Sequence, residues 1–345
     1  MKKIFVVLML VVLIFSLCSL CGCFLFGSNN PVSMVDGYEV YDVTINKEKC
    51  YAIIGVNDRD IVNGVWTVPE TIGDRPVSGL GYDKENYLAP STNYPLFRNK
   101  KIKKIVINHN LWLSEKAFVN LTELKELQIN VPFDHYNFDK NSISTIQSIS
   151  CRVPKNGFHE LFWQSPDLRC VNLISPDSGF WVNGKFIFNN PDNIIAYFVS
   201  NSEQIDGVFS TYTSLSAFIV DNTVQEIKFN AFTGSSVDVY VRYTQDSCPQ
   251  GLRNGWDKGV NVTWGFEDEI VIYDSLFGSE IAFESTGKNY VTAKVGDRLV
   301  PPTTPTREGY KFTGWYKDYT CMEQWNFETD TITTSTVLVA GWEMI

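Results

Sequence analysis

Ile102-Lys-Lys-Ile105-Val-Ile107, Leu124-Lys-Glu-Leu127-Gln-Ile129, Ile146-Gln-Ser-Ile149-Ser-Cys151 and Leu168-Arg-Cys-Val171-Asn-Leu173 repeat one pattern, apolar-x-x-apolar-x-apolar, each copy 22 residues after the last. After a 26-residue step it returns at Ile194, Tyr197 and Val199, then 21 residues on at Leu215, Phe218 and Val220. A weaker copy follows, another 21 residues on, at Ser236, Val239 and Val241. One such hexad is a common accident in a chain with 44% apolar residues. Seven at near-constant spacing are not. A short strand and its return segment cannot bury their apolar sides alone, so the period predicts a solenoid whose stacked turns share one core and one parallel sheet.

The return segments carry their own signature, Leu113-Ser-Glu-Lys-Ala117-Phe118 and Ile227-Lys-Phe-Asn-Ala231-Phe232, which places an Ala and a Phe on the convex side. An ordinary α/β domain would need helices of ten or more residues between strands. The stretches between hexads are instead short and rich in Asn, Ser, Asp and Gly. The hexads, the Ala-Phe returns and the period resemble the BspA-type leucine-rich repeats of bacterial surface proteins. The lead-in Val65-Trp-Thr-Val-Pro69 and the closing Val262-Thr-Trp264-Gly265 fit the same resemblance, which covers residues 37–266 and is degenerate over 133–193. An irregular or inserted turn is expected in that stretch.

Upstream, Lys2 and Lys3 precede an apolar run over residues 4–15, the charged and hydrophobic regions of a signal peptide. The run ends in Leu20-Cys21-Gly22-Cys23, which resembles the lipobox of bacterial lipoproteins. The resemblance implies a signal peptide over 1–22, lipidation of Cys23 and a lipidated tether over 23–36. An uncleaved anchor is the rival reading, since residues 4–26 nearly suffice to span a bilayer. Either way the body of the chain is expected outside the cytosol, held to a membrane. Of eight cysteines, Cys50, Cys151, Cys170, Cys248 and Cys321 lie beyond that segment, too widely spaced and too odd in number for a disulfide framework. The register argues against a Cys151–Cys170 bond as well, because Cys151 points into the solenoid and Cys170 out of the same sheet.

Beyond an acidic linker, 267–278, the pattern changes to alternating strands and turns. Gly309-Tyr310-Lys-Phe312-Thr-Gly314-Trp315-Tyr316, continuing to Val337-Leu-Val-Ala340-Gly341-Trp342, resembles the internalin B-repeat, or Listeria–Bacteroides repeat. That resemblance implies a small β-grasp-like module over 279–345, with Trp315 and Trp342 in its core and Gly309 and Gly314 at turns or bulges. It departs at Gly341, where such repeats more often carry Lys. The fold class is therefore mainly β: a solenoid of short parallel strands with irregular or short helical returns, followed by that module.

With 29 basic and 39 acidic residues the formal charge is −10, and no basic footprint for nucleic acid exists. No phosphate-binding Gly loop, metal-ligand motif or nucleophile elbow occurs, so no catalytic, cofactor or metal residue is assigned. Asp134-His135, His159-Glu160 and His109 read as loop-solvated. Asp83, Glu85 and the run 267–269 lack the ligand spacing of a calcium loop and read as solvated charge. The fifth hexad position faces outward, and its last three members, Phe198, Ile219 and Tyr240, form an apolar ladder. Such a ladder marks a candidate ligand-binding face unless a neighbouring segment covers it. By resemblance the work of the chain is adhesion or binding of an extracellular protein or glycan. A structural envelope spacer is the alternative, and a glycan hydrolase with paired carboxylates the remote one.

Overall fold

The computed structural model describes residues 32–45, 47–81, 101–113, 117–118, 121–131, 145–152, 167–174, 181–183, 191–206, 209 and 212–345. The signal peptide, Cys23, Asp83, Glu85, His135 and His159 lie outside these residues, as do most of the returns in 133–193. Among the described residues the regular structure is strand, with single turns of 3-10 helix at Asp58–Asp60 and Pro191–Asn193 and no α-helix.

The hexads become the rungs of a parallel sheet. Lys104–Ile107, Glu126–Ile129, Ser148–Arg152, Cys170–Ile174 and Ala196–Ser200 pair in that order, with Ile105, Leu127, Ile149, Val171 and Tyr197 in one register column. The degenerate stretch therefore keeps its rungs. Hydrogen bonding is interrupted after Ala196–Ser200, and a second parallel sheet holds Ala217–Val220, Asp238–Val241 and Asn261–Trp264. A further parallel set, Trp181–Asn183, Gln204–Asp206 and Glu226–Ile227, belongs to the returns.

Every first, fourth and sixth position of the four hexads from Ile102 to Leu173 is buried: alternation along the strand turns the fourth and sixth inward, and the first closes the core from just before the strand. Ala117, Phe118, Ala231 and Phe232 fill the core from the return side. In the last hexad Val237, 1% exposed, takes the slot expected for Ser236, which faces solvent. The core runs on as an aromatic stack in which Phe209 lies 4.9 Å from Phe232 and 5.0 Å from Phe218.

At the amino end the sheet is capped by antiparallel strands. Ser33–Val35 pairs with Tyr38–Ile45, which pairs with Glu48–Gly55. The tether expected over 23–36 thus already contains an edge strand. Arg75–Leu80 adds in parallel to Glu48–Gly55, and Trp66 on Val65–Thr67 joins the rung column beside Ile105.

The carboxyl-terminal module is a four-stranded sheet in the order Tyr290–Ala293, Glu269–Asp274, Thr336–Met344, Tyr310–Tyr316. The segment 267–278 is therefore no linker, since it supplies a central strand. Its acids suggest solvation, but Ile270 to Tyr273 is an unbroken apolar run, the mark of a strand buried on both faces. Ile270 and Ile272 face one cluster and Val271 and Tyr273 another, and Val337/Val339 and Leu338/Ala340 divide in the same way. Trp315 is core at 3% exposure, while Trp342 is partly buried and donates its indole N–H to the Ser275 carbonyl at 2.9 Å. The sheet bulges between Phe312 and Gly314, whose φ of 142° few side chains tolerate. Opposite it, Gly341 is covered by the Tyr316 ring, which a Cβ at 341 would strike. That ring is the reason a Lys has no room here.

Candidate functional site

The outward positions of the rungs form two columns. The fifth hexad position gives Val106, Gln128, Ser150, Asn172, Phe198, Ile219 and Tyr240, all partly exposed. The third gives Lys104, Glu126, Ser148, Cys170, Ala196, Ala217 and Asp238. Sequence reasoning used the first column and missed the second. In the middle rungs the third position is small on four consecutive turns, with charges at both ends, and small residues let another backbone approach closely.

What approaches is the carboxyl-terminal module. Cys170, Ile195, Ala196, Ala217 and Phe266 share one apolar cluster with Ile270, Ile272, Tyr290, Tyr319, Val337 and Val339 of the module. Phe198, Ile219 and Tyr240 pack against that cluster. The ladder is thus a docking face, and the chain's own module occupies it. Tyr240→Ser would loosen the module as well as alter the ladder, because the two tyrosine hydroxyls of Tyr240 and Tyr290 lie 2.8 Å apart. Cys170 points outward as expected yet is 7% exposed beneath the module, and both it and Cys151 are free thiols.

Polar contacts stitch the seam along its length. Asp274, 1% exposed at its side chain, accepts from Arg169 Nε at 2.5 Å and Nη2 at 2.8 Å, from the Tyr319 hydroxyl at 3.0 Å and from the Leu276 amide at 2.9 Å. Burial works against the Arg169 charge, but Asp274 outweighs it and raises the guanidinium's pKa. Glu126 accepts from the Tyr319 amide at 2.7 Å and pairs with Lys104 at 3.2 Å. Burial nevertheless raises its pKa, with Lys104 only partly offsetting this. Arg242 donates to Glu269 and to the Asp268 carbonyl, each at 2.7 Å, and Glu269 also accepts from Ser335. The acidic run expected to be solvated is therefore partly structural.

Asp238 anchors the far end. It accepts from the Tyr290 hydroxyl at 2.5 Å, Lys288 at 2.9 Å and the Asn261 amide at 2.7 Å. Burial pushes its pKa up, but these three donors outweigh it and hold the carboxyl below its ordinary value. An acid depressed on folding adds stability above its unfolded pKa and loses it as pH falls through the folded one. The protein should therefore weaken below about pH 4 in part through Asp238, and Asp238→Asn should flatten that slope. Urea midpoints of both proteins between pH 2 and about 5 check this, with parallel curves counting against it. Glu126 contributes with the opposite sign, losing stability as pH rises through its raised pKa.

Neither His109 nor the thiols of Cys170 and Cys321 offer activated chemistry. His109 is half-buried rather than loop-solvated, its Nε2 lies 3.0 Å from the Val77 carbonyl, and burial lowers its pKa. Burial pushes Cys170 up to about 12 and Cys321 up to about 11, far from a reactive thiolate. Among the described residues no three His, Cys, Asp or Glu side chains converge as metal ligands.

Outside the seam, the first rungs keep a polar outer strip. Gln128 donates its amide to Asn130 at 3.1 Å, and Asn130 donates to Asn108 on the preceding rung at 2.6 Å. Ser150, Asn172 and the exposed Arg152 continue it.

Residues 271–341 match the model of the Listeria-Bacteroides repeat domain, and the match covers the four-stranded module from its central strand Glu269–Asp274 into Thr336–Met344. The carboxyl-terminal module is a Listeria-Bacteroides repeat domain. Relatives include two Evansella cellulosilytica proteins whose names place them provisionally in the membrane. One is 32% identical over 102 residues, covering 26% of this chain and 15% of its own length. The other, glycine-rich by name, is 33% identical over 105 residues, covering 27% and 12%. Internalin H of Listeria monocytogenes is 30% identical over 101 residues, covering 22% and 18%. The chain thus spans less than a fifth of each of these relatives. Among the described residues no helix is long and apolar enough to cross a membrane.

Proposed function

We propose that the chain is a non-enzymatic cell-surface protein, lipid-anchored through Cys23, whose leucine-rich-repeat solenoid of the BspA type binds an extracellular protein or glycan. The observation that carries the reading is the uneven covering of the outer sheet face. The apolar ladder Phe198, Ile219 and Tyr240 is taken by the repeat domain, whereas in the amide strip Asn108 is exposed and Gln128 and Asn130 are only partly buried. Extended solenoid faces of this kind suit long ligands better than a catalytic cleft does. The buried or half-buried acids that a hydrolase would need, Glu126, Asp238, Glu269 and Asp274, each hold a basic or hydroxyl partner in the seam.

The test places the chain from Gly27 onward on an array of glycans and matrix proteins beside Gln128→Ala/Asn130→Ala. Specific capture that falls about tenfold in the variant is expected, with stability changed by no more than about 0.5 kcal/mol in urea unfolding. Capture that is unaltered in the variant removes the strip from the binding face. One observation favours the second reading, a structural envelope spacer: four charged solenoid residues, Glu126, Arg169, Asp238 and Arg242, each bond to the repeat domain, as a stiff coupling requires. Absence of any capture by a folded chain would select it.

A further inference from the structure

The turn that follows the central strand of the repeat domain is held in an unfavourable shape. Gly278 N–H donates to the Ser275 carbonyl at 3.0 Å, and both central residues are left-handed, Leu276 at φ 44° and Phe277 at φ 69°. Such turns favour Gly or Asn, since each side chain in the left-handed region is crowded against its own backbone. Leu276 has a structural reason to be there, because it packs on the cluster between repeat domain and solenoid. Phe277 belongs to none of the apolar clusters. It is 64% exposed, at a position where Gly would sit without strain.

Two guanidinium groups lie beside its ring. The guanidinium of Arg169 lies 5.5 Å from the Phe277 ring centroid and that of Arg307 5.7 Å, while Arg307 also stacks 3.8 Å from the Tyr310 ring. Arg169 is committed to Asp274. Arg307 makes one long hydrogen bond, 3.4 Å to the Leu276 carbonyl, and among the described residues no carboxylate pairs with it. A guanidinium whose face is stacked on an aromatic ring keeps its in-plane N–H donors for a planar acceptor, and a carboxylate fits them two at a time.

We infer that Phe277, Arg307 and Tyr310 form a binding site for a carboxylate-bearing sugar of an acidic polysaccharide. Arg307 takes the carboxylate, and the exposed ring of Phe277 stacks on the apolar face of the sugar. An extended acidic peptide fits less well. It would pair with main-chain groups, and much of this turn's main chain is engaged: the Ser275 carbonyl accepts from Gly278 and Trp342, the Leu276 carbonyl from Arg307 and the Gly278 carbonyl from the Ser275 hydroxyl. The inference shares with the proposed function only the binding of an external ligand. It sits on the repeat-domain side of the seam, away from the amide strip, so the two fail separately.

Titration calorimetry of the chain from Gly27 onward uses hexamers of galacturonate, hyaluronan and guluronate as probes, with methyl-esterified hexagalacturonate and hexaglutamate as controls. At least one acidic hexamer should bind, about tenfold tighter than its ester or the peptide. Phe277→Gly and Arg307→Gln should each weaken it about tenfold, and Gln128→Ala/Asn130→Ala should leave it unchanged. Phe277→Gly should also melt no lower than the parent, since it relieves the turn. The inference is overturned by no binding of any acidic hexamer, by equal binding of ester or peptide, or by affinity that Phe277→Gly leaves intact. A loss caused equally by the amide-strip variant, or a lower melting temperature for Phe277→Gly, overturns it too.

Discussion

Asp274→Ala is expected to destabilise the protein by about 3–5 kcal/mol, because it strands the largely buried Arg169 guanidinium without its counter-ion. Four donors converge on that carboxylate from the solenoid and from two parts of the repeat domain. Their loss should first free the repeat domain from the solenoid. The second partner decides whether the charge or the packing matters. Arg169→Met/Asp274→Leu, which removes both charges and keeps the volume, should recover more than half of the loss, since a buried pair replaced by apolar groups is often near neutral. Equilibrium urea unfolding of Arg169→Met, Asp274→Leu and the double measures the coupling, expected at about 3 kcal/mol or more. A double variant as weak as the sum of the singles would mean that the pair does not act as a unit.

Phe218→Ala should cost about 3–5 kcal/mol for a different reason. Phe218 is 1% exposed and meets Phe209 at 5.0 Å, Phe232 at 5.3 Å and Tyr197 at 6.1 Å, so truncation opens a cavity among rings that cannot collapse into it. The effect should show in the urea midpoint with little change in slope. A loss below about 1 kcal/mol would show that neighbouring rungs close the gap. Phe198, one rung away on the outer side and only partly buried, should tolerate Ala better.

The rungs were legible because a period of about 22 residues survives even where the returns lose their Ala-Phe signature: Ile149 and Val171 are as deeply buried as Ile105. The repeat domain was legible from the spacing of its glycines and aromatics. Its first strand was not, because Glu267, Asp268 and Glu269 look like a solvated boundary and mask the Ile270-Val-Ile-Tyr273 run behind them. That run, with Val337-Leu-Val-Ala340, carried the missing information. Two neighbouring strands apolar on both faces cannot belong to a module with one wet side, so some other surface had to cover the second face. The complementary sign on the solenoid was the run of Ser148, Cys170, Ala196 and Ala217. Neither sign suffices alone, since small outward residues are common and a continuous apolar strand names no partner. The Phe277 site was beyond the sequence, because Phe277 and Arg307 lie thirty residues apart and only the folded turn brings them together.

The Glu126–Tyr319 hydrogen bond joins residues 193 positions apart and closes the seam at its near end. Translation makes the solenoid before the repeat domain. Between the completion of the Asn261–Trp264 strand and that of Thr336–Met344, about eighty amino acids are added at about 5–20 per second, so the unpaired interval is roughly 4–16 s. During it Phe198, Ile219, Tyr240 and the small column between them are bare. The nascent chain is at its most adhesive toward its own copies in that interval, and the fold hides the surface only when the strand Thr336–Met344 enters the middle of its sheet.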